Sequence, residues 1–228
     1  MNDTIAALGL AFGSAFTAGI NLYATIAVLG GGTMGRGIVQ VAAQGGMRVL
    51  CYDAQAGAAA AAKAGIAKLL TGLAEKGRIT AADAEAATAR VTVVDDLAAV
   101  AKADVIVEAI LERLDVKQEL FAELEAKMKP GAVMATNTSS IMIEDIAKPL
   151  KDPGRLIGIH FFNPAPAMPL VEVVSAGVDP PQRRKVRLGQ RLRARRAAGQ
   201  NSNSFNICSG LSTHSWQLNR HSPDQDAQ

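Results

Sequence analysis

The apolar run from Ile26 to Leu29 opens directly into Gly30-Gly-Gly-Thr-Met-Gly35, and this junction limits the possible folds more than any other stretch of the chain. The spacing G-x-G-x-x-G at Gly30, Gly32 and Gly35 predicts a strand, a tight turn and a helix. Gly30 permits the turn, Gly32 lets backbone approach a pyrophosphate, and Gly35 lets the helix pack close to the strand. A pyrophosphate would rest on the N-terminus of a helix starting near Met34, where free N–H groups and the helix dipole favour negative charge. A second apolar run from Met47 to Tyr52 ends at Asp53, about 20 residues further on, where an acid can accept hydrogen bonds from ribose hydroxyls. That acid would repel a 2′-phosphate, so the dinucleotide expected is NAD. The other use of Asp53 is as the N-cap of the alanine-rich helix that follows.

From residue 26 to 175 short apolar strands alternate with amphipathic helices, which predicts a doubly wound, mostly parallel α/β fold. Further strands are expected at 91–94, 105–108, 133–136, 156–160 and 170–174, and Thr80 is expected to cap a helix. The clearest helix spans 115–128: Val116, Leu120 and Leu124 recur every four residues, Phe121 adds to the stripe, and Lys129-Pro130-Gly131 stops it.

The flanks differ in kind. The net charge of +3 hides a segregation, since residues 180–228 hold nine Lys/Arg and two Asp/Glu while the preceding part is acidic overall. Residues 1–25 form an apolar leader, read either as a fused segment or as a membrane-associated helix; it lacks the basic start and cleavage site of a secretory signal. Residues 176–228 read as an irregular, basic, disordered tail, with a reading-frame change as one origin. Nucleic acid is not expected as a partner, and a membrane contact through residues 1–25 stays open. Two cysteines, Cys51 and Cys208, point to no disulfide framework and to a reducing cytoplasm. No metal is expected.

The residues that carry chemistry lie between Glu108 and Glu172. Glu112 and Lys117 follow a strand end, where open α/β sheets gather ligand contacts. Asn137-Thr-Ser-Ser140 can cap the next helix or hydrogen-bond a substrate hydroxyl. His160 ends one strand, and Glu172 is a lone carboxylate inside another. An ionised carboxylate buried without a partner costs several kcal/mol, so Glu172 is expected to pair with His160. One imidazole nitrogen held by an acid leaves the other to act as a general base.

Gly30–Gly35, Val107-Glu-Ala-Ile110, Asn137-Thr-Ser-Ser140, His160-Phe-Phe-Asn-Pro164 and Leu170-Val-Glu-Val173 together resemble the NAD-binding domain of the 3-hydroxyacyl-CoA dehydrogenase family, in its 3-hydroxybutyryl-CoA dehydrogenase branch. The resemblance covers residues 26–175 and implies a Rossmann-type domain in an enzyme of cytoplasmic fatty-acid metabolism. It implies NAD-dependent oxidation of a 3-hydroxyacyl-CoA to a 3-ketoacyl-CoA, or the reverse. By position, His160 matches the base, Glu172 its carboxylate partner, and Ser139 a residue that meets both the substrate oxygen and the cofactor. Gly30, Gly31, Gly32, Thr33, Met34, Gly35, Asp53, Glu112, Lys117 and Asn163 match cofactor contacts, and Lys76 matches a CoA phosphate contact.

Family members continue into a helical domain that forms the homodimer interface and covers the acyl-CoA, and from residue 176 this sequence departs from that pattern. Asn219-Arg220 echoes a motif of that domain without its context, so no role is carried over to it. Three alternatives therefore stand beside the enzyme: an NAD-binding module without turnover, a β-hydroxyacid dehydrogenase relative, and a protein that works through its apolar leader or basic tail.

Overall fold

The computed structural model describes residues 24–168, 170–175 and 183–187. The strands are β1 (Thr25–Leu29), β2 (Arg48–Tyr52), β3 (Val91–Val93), β4 (Val105–Glu108), β5 (Val133–Thr136), β6 (Leu156–Phe161), β7 (Leu170–Ser175) and β8 (Arg183–Arg187). The helices are α1 (Thr33–Gln44), α2 (Ala58–Glu75), α3 (Ala81–Ala89), α4 (Leu97–Val100), α5 (Leu114–Lys127) and α6 (Ile143–Ala147). Among the described residues the strands form one sheet in the order β3-β2-β1-β4-β5-β6-β7-β8. Neighbours from β3 through β6 are parallel, and β7 and β8 add antiparallel. This is the expected doubly wound α/β fold.

The central strands are buried on both faces, which is why they read as unbroken apolar runs. Along β1, Ile26 and Val28 join a core with Ile38 and Val39 of α1 and Ile66 and Leu70 of α2. Ala27 and Leu29 point to the other face, where Phe121 and Leu124 of α5 and Ile146 of α6 pack. Two layers of helix thus sandwich the sheet, following the period of two along each strand.

Thr80 caps α3, its hydroxyl accepting from the Asp83 amide at 3.0 Å. The cap of α2 is Gly57, so Asp53 does not take the helix-capping role. The stripe on α5 is rotated from the expected one: the fully buried positions are Lys117, Phe121 and Leu124, while Val116 and Leu120 are only partly covered. A lysine holds a core position because a buried acid faces it.

Part of the stretch read as an irregular tail is strand, since Arg183–Arg187 pairs with β7 from Leu170 to Val174. β7 would otherwise be an edge with a row of unpaired N–H and C=O groups, which an extended segment of any composition can satisfy. The rest of that tail, and the apolar leader up to residue 23, lie outside the described residues. Among the described residues no helix is long and apolar enough to cross a membrane.

Candidate active site

The strand order reverses between β1 and β4, and in open α/β sheets a crevice forms at such a point beyond the carboxyl ends of the strands. The glycine turn lies there. Gly30 has φ +107°, and a Cβ on it would sit 2.5 Å from the carbonyl oxygen of Ala109, the residue that follows β4. A Cβ on Gly35 would sit 1.8 Å from the Gly30 carbonyl oxygen, so this glycine lets α1 start against the turn. A Cβ on Gly32 would meet nothing within 4 Å, so the chain is open where a ligand backbone would approach. Gly32 is also the N-cap of α1, with no side-chain cap and no acid in the first turn. Its N–H groups remain available to an anion.

Asp53, at the end of β2, lies beside this turn. One carboxylate oxygen accepts from the Gly31 amide at 2.5 Å and the other from the Gln55 amide at 2.8 Å. These bonds fix the carboxylate at the rim of the glycine turn, and each oxygen keeps a second lone pair for a ligand hydroxyl.

The ends of β4, β5 and β6 form the other side. Glu108, the last residue of β4, is fully buried; its carboxylate accepts from Lys117 Nζ at 2.6 Å, the Thr136 hydroxyl at 2.7 Å and the Ile110 amide at 2.7 Å. Lys117 is 1% exposed, and its Nζ also lies 3.3 Å from Glu112 Oε2. The other oxygen of Glu112 accepts from the Thr138 hydroxyl at 2.5 Å and from the Ser139 and Ser140 amides at 2.9 and 3.2 Å. Partial burial pushes the Glu112 carboxyl up, but the Thr138 hydroxyl, the Ser139 amide, the Lys117 ammonium and the Ser140 amide outweigh it and bring it down to about 2. The polar run 137–140 therefore binds a carboxylate and does not cap α6, whose N-cap is Met142.

His160 and Glu172 are directly opposite in the antiparallel β6–β7 pair, so their side chains share a face. His160 Nδ1 lies 3.3 Å from Glu172 Oε2, with the side chains 28% and 18% exposed. The Phe162 ring packs on the imidazole at 4.8 Å between centroids. No described residue hydrogen-bonds His160 Nε2. The loop after β6 is held to the glycine-turn helix, where Ala165 packs against Gly37 so closely that a Cβ there would lie 3.1 Å from its own.

A cleft of about 370 Å³ joins the two sides, lined among others by Met34, Glu112, Lys117, Ser139, His160 and Asn163. It thus brings together the glycine turn, the carboxylate-bound loop and the imidazole. Lys76 is placed elsewhere, exposed at the C-cap of α2, with the 18 residues of that helix between it and the glycine turn. Glu108, Asn137 and Phe162 belong to the site and were missing from the expected set. Asn137 accepts from the Phe161 amide at 2.9 Å and so ties β5 to the histidine strand. Glu108 carried a signal like that of Glu172, an acid in an apolar strand, though at its end and not inside it, whereas nothing in the sequence marks Asn137 as a strap. Among the described residues no group of His, Cys, Asp and Glu side chains is arranged to hold a metal ion.

The model of one family, described as 3-hydroxyacyl-CoA dehydrogenase, NAD binding domain, matches residues 25–181. The chain belongs to the 3-hydroxyacyl-CoA dehydrogenase family. It is 49% identical over 151 residues to the 3-hydroxyadipyl-CoA dehydrogenase of Escherichia coli strain K12, covering 66% of this chain and 32% of that protein. It is 41% identical over 170 residues to a probable 3-hydroxyacyl-CoA dehydrogenase of Caenorhabditis elegans, covering 71% and 54%. The crystal structure of 3-hydroxybutyryl-CoA dehydrogenase from Escherichia coli K12 superposes with a TM-score of 0.65 at 48% identity, over 66% of this chain and 32% of that one. This 3-hydroxyacyl-CoA dehydrogenase homologue thus spans between about a third and about half of the length of these relatives, and what they share with it is the NAD-binding domain.

Proposed function

We propose that this chain binds NAD in the cleft and oxidises the 3-hydroxyl of an acyl-CoA thioester to a ketone, or reduces the ketone, through His160. The observation that carries this reading is that Met34 of the glycine turn and His160, held by Glu172, line one cleft. The dinucleotide fits the residues present: Gly32 leaves room for a pyrophosphate, the uncapped start of α1 faces it, and Asp53 stands where ribose hydroxyls would arrive. Glu112, Lys117, Ser139 and Asn163 would hold its other half. When bound, nicotinamide supplies the redox chemistry by taking or returning a hydride.

The protein's own part is proton handling and alignment. Glu172 fixes the imidazole with Nδ1–H toward the carboxylate and Nε2 toward the cleft, so Nε2 takes the hydroxyl proton in oxidation and returns it in reduction. The imidazolium formed is stabilised by the same carboxylate. Ser139, whose amide is pinned to Glu112, presents an exposed hydroxyl to the substrate oxygen. The chemistry requires only these groups and a bound cofactor near them, and the names of the relatives support a 3-hydroxyacyl thioester as the substrate. A cytoplasmic setting belongs to the same reading, in line with two cysteines in 228 residues and no disulfide framework.

NADH oxidation by the full chain with acetoacetyl-CoA tests this. His160→Gln should keep NADH binding and lose at least about 10²-fold in turnover. Equal rates in the two proteins would reject the role of His160. Because the chain covers 32% and 54% of the two relatives above, a second reading is a module that binds NAD without turnover. NADH binding with no consumption in the wild-type protein selects it.

A further inference from the structure

Neither the strand–turn–helix reading nor the imidazole chemistry uses Glu108, yet it is the most completely buried carboxylate among the described residues. It is fully buried at the end of β4 and takes three donors from three places: the Ile110 amide just beyond its own strand, the Thr136 hydroxyl of β5 and the Lys117 ammonium of α5. An ammonium has three N–H donors. Glu108 occupies one on Lys117 and Glu112 pairs with the same ammonium by charge, which leaves a donor for a ligand in the cleft that Lys117 lines. A lysine on a flexible four-carbon stem has no fixed direction of its own.

We infer that Glu108 is a positioning residue that aims Lys117 into the cleft and, through Lys117 and Glu112, sets the height of the Ser139 loop. The chain of contacts runs unbroken from Glu108 to Lys117 at 2.6 Å, from Lys117 to Glu112 at 3.3 Å, and from Glu112 to the Ser139 amide at 2.9 Å. Every link but the last is an ion pair, and the first is sealed from water. At that first link burial removes solvent as a competitor, so Lys117 stays where Glu108 holds it. The inference rests on the reading that this cleft takes NAD.

The test is NADH affinity of the full chain, followed by fluorescence titration, with folding checked by circular dichroism and thermal melting. Failure of the wild-type protein to bind NADH defeats the proposed function itself, separately from this inference. Glu108→Gln, which keeps the shape and an acceptor for Lys117, should weaken NADH binding at least about tenfold, within the range expected for groups in one network. In a Lys117→Gln background the same change should cost less than about twofold, because the residue it acts through is gone. Unchanged affinity in Glu108→Gln, or an equal loss in both backgrounds, overturns the inference and leaves Glu108 a structural group. If either variant fails to fold or binds too weakly to measure, Thr136→Val decides: it keeps both charges and removes one anchor of Glu108. A loss of at least about threefold supports the positioning role, and wild-type affinity overturns it.

Discussion

At the residue scale the three glycines of the turn are not equivalent, and the space around each says why. Gly35 is pressed against the Gly30 carbonyl, whereas Gly32 faces open space with an ordinary φ of −66°. Gly35→Ala should therefore damage folding, because the contact it makes is with backbone that cannot swing away. Gly32→Ala should melt within about 0.5 kcal/mol of wild type, as surface changes usually do, and still lose NADH binding. Parallel melting and NADH titration of the two variants check this. A Gly32→Ala protein that binds NADH normally would remove the pyrophosphate from this turn. The roles of Gly30 and Gly35 were readable from spacing alone, since only a residue without Cβ fits a turn at positive φ or a helix start this close.

At the element scale α5 shows where pattern reading fails. An apolar stripe was expected through Val116, Leu120 and Leu124 with Phe121 added to it, and the fully buried face keeps Phe121 and Leu124 but takes Lys117 in place of Val116 and Leu120. Periodicity scores lysine as polar and so shifts the stripe by one position. The buried acid at the end of β4 reverses that choice, and it lies on the preceding strand, where the helical period does not reach. Lys117→Met should destabilise the domain by about 3–5 kcal/mol, because it leaves Glu108 buried with its charge uncompensated. Adding Glu108→Gln should recover much of that loss. Denaturant unfolding of the single and double variants measures both. Recovery would be absent if the pair were incidental to stability. The β6–β7 pair is the opposite case: two apolar strands, each with one polar side chain that needs a partner, were enough to predict the contact between His160 and Glu172.

At the scale of the whole molecule, acid should act through the network that joins β4, β5 and α5. The folded Glu112 carboxyl lies at about 2 against an ordinary value of 4.5. Its folded value is depressed, so its contribution to stability is fully present above about pH 4.5 and is lost as pH falls toward 2. Melting temperature between about pH 5 and pH 2.5 should fall more steeply for the wild-type protein than for Glu112→Gln, which has no proton to gain. Identical slopes would mean that Glu112 is not held by Thr138, Ser139 and Ser140 in solution. Because that carboxylate also carries the Ser139 loop, NADH binding should weaken over the same range.

The sequence by itself determined the sheet class, the order of its elements, the glycine turn and the acid at the tip of β2, because each rests on local periodicity or on a residue type that one backbone conformation demands. It also exposed the need of Glu172 for a partner. Only the tertiary structure decided that Glu108, Lys117 and Glu112 form one chain of charges, that Asn137 straps β5 to the histidine strand, and that Arg183–Arg187 closes the sheet edge beside β7. Those contacts join different elements, whether close in the chain, as Glu108 and Lys117 are, or further apart, as Asn137 and Phe161 are. Which buried charge meets which is set by how strands and helices stack, and no local pattern records that.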